Sequence, residues 1–493
     1  MKTISSLISA GNLVPVAILS CLFLFSGCSF APNYSKPSVQ TPSAYKELTP
    51  EQLNQTDGWK TAEPKDNQIR GNWWEIFHEA ELNAFESQVT VSNQSVAVAL
   101  DTFLAARAVV KQARSQYFPT VTAGPSVSES RQQINPSSSS PTSSTFAQYA
   151  LPFDASWEPD FWGRIRNTVK ANSLEAQATL ADLENVRLTV QAEVAVDYFE
   201  VRELDAQKQL LDESAFADEE TLRLTGVQEG GGLASGQDIA QAEAQLELIR
   251  AQAIDLGIER ALLEHAIATL LGEPASSFSI APHSLAATPV AIPFALPSEL
   301  LERRPDIAAA ERGVAEANAQ IGVARAAYFP TVSLNGSAGF QGASVQNLFT
   351  GPGLVWSVGA TLAQTLFDGG LRKAVTEQSR AIYQGTVASY RLTVLNAFEE
   401  VEDNLSTLRI LTQELQQQNA AVNSAAYYLT LANARYQSGL EGYLEVLTAQ
   451  ITVLTDRQAA LNLQIQQLTA SVQLIKALGG GWDTSSDTTT TIP

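Results

Sequence analysis

Four short stretches of the chain, two in each half, alternate between apolar and small polar residues. In the last of them, Leu354, Trp356, Val358 and Ala360 are each separated by one residue. A period of two gives a β-strand one apolar face and one polar face. The alternation predicts strands at about 118–128, 146–158, 330–341 and 353–366, with a serine-rich loop at 135–145 inside the first pair.

Longer stretches between the strands repeat their apolar residues in steps of three and four. Val394, Phe398 and Val401 belong to such a series, which continues to Tyr436. This spacing is typical of a coiled-coil-like helix seam. We expect long helices at about 164–228 and 371–437, each followed by a turn and a shorter helix at about 238–271 and 445–478. A helix of some 65 residues would extend roughly 100 Å.

Three segments of the first half return in the second half in the same order. The pairs are residues 113–121 with 324–332, residues 161–166 with 367–372, and Gly232-Leu233 with Gly439-Leu440. Their offsets are 211, 206 and 207 residues. Three matches at nearly one offset indicate an internal duplication, in which each half reads helix, strand, loop, strand, long helix, turn and helix.

The four strands suit a membrane better than a soluble sandwich. Strands of about 9 to 11 residues can cross a bilayer when tilted, and aromatic residues such as Tyr149 and Trp356 lie near strand ends. Four strands cannot close a barrel, and lipid excludes open sheet edges, so several chains must combine their strands. We expect two apolar residues to face lipid and two serines to face the lumen: Leu151 and Val358, and Ser156 and Ser357.

The N-terminal residues predict export and lipid attachment. Residues 13–25 form an apolar stretch too short to span a bilayer but typical of a signal-peptide core, so residues 1–27 are predicted to be a signal peptide. The following Phe25-Ser26-Gly27-Cys28 resembles the bacterial lipobox, with Phe25 where Leu is usual. This resemblance implies diacylglycerol and palmitate on Cys28, and Ser29 is compatible with outer-membrane delivery. An ordinary signal peptide is the alternative.

Charge and residue chemistry exclude several classes of function. The net charge of −21 and the lack of a basic stripe argue against nucleic-acid binding, whereas solubility or an acidic duct would explain the charge equally well. Residues His78, His265 and His283 lack metal-ligand spacing, and Met1 is the only methionine. The paired carboxylates at 399–400 and 402–403 favour a solvated or duct-facing helix surface. We therefore expect no enzyme, no cofactor and no metal site.

Several motifs together resemble the TolC-like outer membrane factor family, in its lipoprotein (NodT-type) branch associated with resistance–nodulation–division (RND) efflux. They are Cys28 with Ala31-Pro32-Asn33-Tyr34, Trp73-Trp74 with Phe77, Tyr117-Phe118-Pro119, residues 156–160 with Gly163-Arg164, Leu270-Leu271-Gly272, and residues 297–307 (PSELLERRPDI). The resemblance implies a mixed α+β membrane protein, mainly helical. In it, a homotrimer builds a twelve-stranded β-barrel, with four strands per chain, continuous with a long α-helical coiled-coil barrel.

The same resemblance implies an organisation of the mature chain. It has an N-terminal equatorial segment, a first repeat, an equatorial linker, a second repeat and a flexible tail, at residues 28–84, 85–271, 272–303, 304–478 and 479–493. Trp59, Trp73 and Trp74 would lie in the equatorial belt, where we expect core packing. The implied partners are a periplasmic adaptor, an inner-membrane RND transporter and outer-membrane lipid. The implied location is the outer membrane, lipid-anchored and extending into the periplasm.

The family also implies a gate at the periplasmic end, where acidic residues just past a helical turn ring the constriction. Glu445 matches the first ring position, whereas Thr448 replaces an acid at the second. Tyr436 matches a tyrosine that holds the closed state, and Glu441 adds a charge at the tip. The alternative role for Glu445 is that of a carboxylate that stabilises a helix N-terminus.

These features favour the exit duct of a tripartite efflux pump, through which small molecules or ions pass passively. A type I protein-secretion channel of the same fold is one alternative, and the lipobox argues against it. A structural periplasmic lipoprotein without a channel is the other, and the paired membrane-type hairpins argue against it.

Overall fold

The computed structural model describes residues 30–42, 45–47, 71–134, 142–283 and 304–480. They fall into two compact units, each built from separate parts of the sequence. Unit 1 contains the described residues up to Pro37, residues 103–178 and residues 310–390, and unit 2 contains the others. Cys28, Trp59, most of the predicted 272–303 linker and the tail from residue 481 lie outside the described residues.

Unit 1 holds an antiparallel sheet made of both predicted strand pairs. Its strands are β1 (Thr120–Ala123), β2 (Ser126–Ile134), β3 (Thr142–Trp157), β4 (Thr331–Gly342) and β5 (Leu354–Ala363). Strand β3 pairs with β1 and β2 on one side and with β4 on the other, and β4 pairs with β5. The pairing of β3 with β4 joins the two halves of the sequence in one sheet.

Strands β1 and β2 pair with the same edge of β3 in one continuous register. Ala123 is opposite Phe153 and Ser126 is opposite Ala150, so the register is unchanged across Gly124 and Pro125. Pro125 interrupts the ladder because proline has no N–H to donate. The predicted strand at 118–128 is therefore longer and divided, and β3 begins inside the predicted loop at 135–145.

The helices of the two halves repeat in length. Among the described residues, the seven longest helices are α1 (Ala80–Ser92), α2 (Gln94–Ser115), α3 (Arg164–Gly230), α4 (Gly236–Leu270), α5 (Pro305–Ala326), α6 (Leu371–Gln437) and α7 (Tyr443–Ala477). Helices α2, α3 and α4 have 22, 67 and 35 residues, and α5, α6 and α7 have the same three lengths. No helix among the described residues is both long and apolar enough to cross a bilayer.

Acidic side chains begin both long helices. The Asp160 carboxylate accepts the backbone N–H groups of Ile165 and Arg166 at 3.1 and 2.8 Å. Asp368 accepts those of Gly370 and Arg372 at 3.0 and 3.3 Å. These contacts satisfy N–H groups that have no partner inside the helix, and they complement the helix dipole. The same device therefore turns the chain from strand to helix in both halves.

Helices α4 and α7 end in the same glycine motif. Glu273 N–H donates to Ala268 O at 2.9 Å, and Gly480 N–H donates to Ile475 O at 2.9 Å. This six-to-one bond belongs to a Schellman cap, which places glycine in the left-handed region. Gly479 and Gly480 are buried in this cap, so the predicted flexible tail at 479–493 begins too early.

The core of unit 2 contains the apolar positions predicted along α6. Val394 and Val401 are fully buried, and Trp73 and Trp74 pack edge-to-face with each other beside Phe77. These contacts confirm core packing for the two tryptophans.

The paired acids of α6 have structural roles that the pattern did not indicate. Glu402 accepts the backbone N–H groups of Lys46 and Glu47 at 2.7 and 3.2 Å. Glu400 accepts from Arg304 at 2.6 Å, and Arg304 also donates to Ala477 O at 2.9 Å. Two of the four carboxylates therefore hold other segments instead of forming a purely solvated surface.

Candidate functional site

The sheet of unit 1 separates apolar from polar side chains by face. Val358 lies opposite Gly336, which lies opposite Ala155. Because Ala155 and Leu151 are four residues apart on one strand, they point to the same side, so Val358 shares a face with Leu151. Ser357 lies opposite Ser337, which lies opposite Asp154. Asp154 and Ser156 are two residues apart on one strand, so Ser357 and Ser156 share the other face. Residues directly opposite in an antiparallel pair point to the same side. The register thus groups the four predicted face residues as two opposed pairs.

The apolar face is exposed in the single chain. Val358 is 81% exposed and Trp356 is 73% exposed. The described apolar members of this face are Val121, Ala123, Val127, Ala147, Tyr149, Leu151, Phe153, Ala155, Trp157, Val332, Leu334, Ala338, Phe340, Leu354, Trp356, Val358, Ala360 and Leu362. A contiguous exposed surface of this kind marks an interface with lipid or protein.

The opposite face carries mainly small and polar side chains, with Phe146, Pro152 and Val355 as apolar exceptions. Ser156 donates to Asn335 Oδ1 at 3.1 Å across the β3–β4 pair. Asp154, Ser337 and Ser357 follow in one row across the sheet. This face can contact water without burying apolar surface.

Both outer edges of the sheet lack a strand partner among the described residues. The edge strands are β1 and β2 on one side and β5 on the other. Their outward N–H and C=O groups are available to pair with another chain. The sheet is therefore suited to extension at both edges.

Unit 2 contains two helical turns that we name the first tip (residues 228–238) and the second tip (residues 435–445). Gly232 and Gly439 have φ values of +74° and +69°. Leu233 N–H donates to Gln228 O at 2.8 Å, and Leu440 N–H donates to Arg435 O at 2.9 Å. Each Gly-Leu pair of the sequence repeat thus forms the same Schellman turn.

Tyr436 connects the second tip to α3, just before the first tip. Its hydroxyl lies 2.8 Å from Thr225 Oγ1, and both side chains are buried. Its ring packs against Tyr443, with the centroids 6.1 Å apart. A cavity of about 830 Å³ adjoins this contact and includes Tyr436 and Asp218 in its lining. The predicted gate tyrosine therefore bonds one helical hairpin to the other.

Asp218 is a buried acid that the sequence did not single out. It is 2% exposed, and its Oδ2 has no hydrogen-bond partner among the described residues. Burial raises the pKa of Asp218 to about 6. Burial also raises the pKa of Tyr443, and the nearby Asp218 and Tyr436 raise it further.

The two predicted gate acids are exposed or half-buried at the second tip. Glu445 lies in the first turn of α7 and accepts a hydrogen bond from the Tyr428 hydroxyl, which raises the pKa of Tyr428. Glu441 forms an ion pair with Arg435 at 2.5 Å. Thr448 donates to Leu444 O at 2.8 Å and brings no charge. Glu445 is thus the predicted gate acid without a cationic partner among the described residues.

A family model described as outer membrane efflux protein matches the chain twice, over residues 87–273 and 296–480. The chain belongs to the outer membrane efflux protein family. The family resemblance inferred from the motifs is therefore confirmed, as is the predicted efflux role at the level of the family. Each of the two matches covers one of the predicted strand pairs and the helical hairpin that follows it.

Relatives of this efflux family match along nearly their whole length. The probable efflux pump outer membrane protein TtgC of Pseudomonas putida is 31% identical over 466 residues, covering 93% of this chain and 94% of TtgC. The pyoverdine export outer membrane protein OpmQ of Pseudomonas aeruginosa is 30% identical, covering 95% of this chain and 97% of OpmQ. The outer-membrane channel OprN has a TM-score of 0.83 at 28% identity, covering 92% of this chain and 100% of OprN.

An N-terminal strap, residues 30–37, follows the cysteine predicted to carry lipid. Asn318 donates to Pro32 O at 2.8 Å, and the Tyr34 hydroxyl donates to Glu311. A Cβ at Gly322 would lie 2.6 Å from the Cβ of Ala31, so only glycine permits this approach. The strap is thus fixed along α5 of unit 1.

Phe30 fixes the beginning of the strap near the sheet. Its ring stacks on Phe329 with the centroids 4.1 Å apart, and Phe329 stacks on Trp162 at 5.0 Å. Trp162 Nε1 donates to Pro330 O at 2.6 Å, immediately before β4. Residue 30 therefore lies beside the helix-proximal end of the strands.

Metal chemistry receives no support from the described part of the chain. No group of three or more His, Cys, Asp and Glu side chains there could hold a metal ion. In a family of efflux channels, the relevant properties are instead the two faces of the sheet and the charges at the tips.

Proposed function

We propose that three copies of this chain form the outer-membrane exit duct of a tripartite efflux pump. The observation that carries the proposal is the four-strand-wide sheet, with one exposed apolar face, one mainly small and polar face, and two edges that lack a strand partner among the described residues. Lipid admits a sheet only when its edges are closed, and three such sheets make a twelve-stranded barrel. The apolar face, with Leu151 and Val358, would then meet lipid. The polar face, with Ser156 and Ser357, would line water.

The repeated helix lengths support an internal duplication and a helical barrel continuous with the strands. Helix α6 begins 207 residues after α3, and α7 begins 207 residues after α4. In the proposed trimer, the long helices of both repeats assemble into a coiled-coil conduit through the periplasm. The buried seam of α6 supports this packing.

The proposed partners are a periplasmic adaptor and an inner-membrane RND transporter. The family and relatives such as TtgC support a place in an efflux pump. Movement through the duct is passive, and the inner-membrane pump selects the small molecules or ions. A type I protein-secretion channel is the second candidate, and a non-channel periplasmic lipoprotein is the third.

Conductance in planar bilayers tests the channel directly. The purified protein should give discrete conductance steps, with cations preferred over anions. A protein that inserts into bilayers without conducting would contradict the duct and favour the structural lipoprotein. Loss of efflux of small compounds after deletion of the gene separates the pump duct from a secretion channel.

Cys28 is the proposed lipid anchor, carrying diacylglycerol and palmitate. The strap supports this because Phe30, two residues later, lies beside the strand ends, within about 7 Å of chain length from residue 28. Cys28→Ala should abolish incorporation of labelled palmitate while leaving the trimer assembled. Ser26→Ala is the control that should keep the label. An unmodified Cys28 in the native host would refute the anchor.

Glu445 is the proposed ring acid of the periplasmic gate, with Tyr436 and Glu441 beside it. Three symmetry-related carboxylates would attract cations and bind multivalent ones. Glu441 contributes less because Arg435 neutralises it. Glu445→Gln should lower cation selectivity and relieve block by hexamminecobalt(III) in single-channel recordings. Glu247→Gln, at an exposed acid of α4 paired with Arg250, should change neither. Unchanged selectivity and block in Glu445→Gln would remove this residue from the gate.

A further inference from the structure

A cationic cavity of about 410 Å³ lies in unit 1, between the end of α5 and the start of α6. Three cations line it: Arg325, Lys373 and Arg380. Glu377 is the only acidic residue in its described lining. The rest of the lining is aromatic or small: Phe30, Tyr328, Phe329 and Thr376. The cavity therefore combines an excess of positive charge with aromatic walls.

The cations of the cavity are not neutralised by the protein. Arg325 uses one nitrogen to donate to Phe30 O at 3.3 Å. Lys373 and Glu377 are 3.8 Å apart with side chains 77% and 62% exposed, so their attraction is weak. Arg380 forms no ion pair with another described residue. The cavity thus presents positive charge to a ligand.

This charge contrasts with the chain as a whole. In the described residues of unit 1, Lys and Arg number 13 and Asp and Glu number 9. The complete chain has a net charge of −21. Positive charge is therefore concentrated in the unit that contains the sheet.

The cavity also lies next to the strands. Phe329 is two residues before β4 begins, and α6 begins eight residues after β5 ends at Ala363. The stacked rings of Phe30, Phe329 and Trp162 adjoin the same strand ends. Aromatic and basic side chains at such a position are typical of a membrane–water boundary.

We infer that this cavity binds the phosphate of an anionic phospholipid head group, an inference that rests on the proposed membrane insertion of the sheet. Arginine presents a planar set of donors that matches phosphate oxygens, and lysine adds a mobile charge. Basic pockets at the membrane surface bind anionic head groups in this way. Charge complementarity selects the lipid, because a zwitterionic head group gains less from the three cations.

Native mass spectrometry of the full-length protein, purified with an equimolar mixture of dioleoylphosphatidylglycerol and dioleoylphosphatidylcholine, tests the site. The wild type should retain the phosphatidylglycerol preferentially. Lys373→Gln/Arg380→Gln should reduce this preference roughly 5- to 25-fold, since each cation near a membrane surface contributes about a fivefold effect. The charge-conserving Lys373→Arg/Arg380→Lys should keep it within about twofold. Arg223→Gln/Arg457→Gln, at exposed cations of unit 2, is the matched control and should leave it unchanged.

Three results would overturn the lipid site. They are equal retention of the two lipids by the wild type, an unchanged preference in Lys373→Gln/Arg380→Gln, and displacement of phosphatidylglycerol by inorganic phosphate, which would indicate a free-anion site. Conductance in phosphatidylcholine bilayers is measured separately. A protein that conducts there without retaining phosphatidylglycerol would refute the lipid site alone. A protein that retains phosphatidylglycerol without conducting would refute the channel alone.

Discussion

Three side chains in or near the second tip and the neighbouring helices have buried polar atoms without hydrogen-bond partners among the described residues. Asp218 Oδ2, Tyr443 OH and Gln450 Oε1 are such atoms. A polar network that is only partly satisfied stabilises packing less than a complete one. Asp218 lies close enough to Tyr443 to raise its pKa, so ionisation of Asp218 would place a buried charge near the Tyr436–Thr225 contact between the two hairpins.

Asp218 should make the protein less stable as the pH rises from about 4 to about 6. Burial raises its folded-state pKa to about 6, whereas the unfolded value is near 3.9. The folded state then keeps a proton that the unfolded state has lost, so the contribution of Asp218 to stability falls across this interval by on the order of 2–3 kcal/mol and changes no further above it. Asp218→Asn should remove most of this fall, as measured by the thermal midpoint of the detergent-solubilised protein between pH 4 and pH 8.

The neighbouring Glu219 provides the control for this measurement. Its side chain is 61% exposed and lies 3.2 Å from Arg250, so Glu219→Gln should leave the pH dependence intact. If Asp218→Asn and the wild type lose stability in parallel between pH 4 and pH 6, the buried carboxylate is not the cause.

The family resemblance predicts that Tyr436 is a gate residue, whereas no pattern in the sequence predicts the burial of Asp218. Asp218 stands in the run Asp218-Glu219-Glu220, and such a run normally indicates a solvated helix surface. Only the packing of α3 against the second tip buries one acid of the three. Arg202 was missed for the same reason: it is fully buried and pairs with Asp205 at 2.8 Å.

At the scale of elements, the strands were predictable where side chains alternate and less so where they do not. The alternation ends near Val127, whereas β2 continues to Ile134 through Ser128, Arg131 and other polar residues. Backbone hydrogen bonds to β3 maintain that extension whatever the side chains are. The long helices were predictable because their apolar steps, capping acids and glycine turns agree.

Arginine placed on the two faces of β5 should have unequal effects. Val358→Arg should reduce the yield of assembled trimer, because a charge facing lipid at mid-membrane costs about 2–4 kcal/mol. Ser357→Arg, one residue away on the opposite face, should assemble normally and alter conductance. Heat-resistant trimer on gels and single-channel recording measure the two effects.

The two substitutions act as controls for each other, because they differ only in face. Equal tolerance of arginine at both positions would contradict the assignment of the apolar face to lipid. Loss of assembly in Ser357→Arg with normal assembly in Val358→Arg would reverse that assignment.

At the scale of the whole molecule, the two compact units do not correspond to the two halves of the sequence. Each sequence half contributes a strand pair to unit 1 and a helical turn to unit 2. The two predicted repeats are therefore not separate bodies, because β3 pairs with β4 and Tyr436 bonds to Thr225 across the halves. Pairings between distant segments leave no local pattern in the sequence, so only the structure could reveal them.

In the proposed duct, the need for more than one chain follows from the sheet rather than from any sequence motif. The described residues of one chain form a sheet four strands wide without a strand partner at either edge, and closure of such a sheet in lipid requires other chains. Three copies give twelve strands, which is the assembly that the proposed duct needs. A single chain cannot satisfy its own edges.

Native mass spectrometry of the detergent-solubilised protein tests this central claim most directly. The proposed duct should appear as a complex of three identical chains that remains intact in mild detergent and separates into single chains on denaturation. A stable, fully folded monomer would contradict it, because that species would leave both edges of the sheet unpaired.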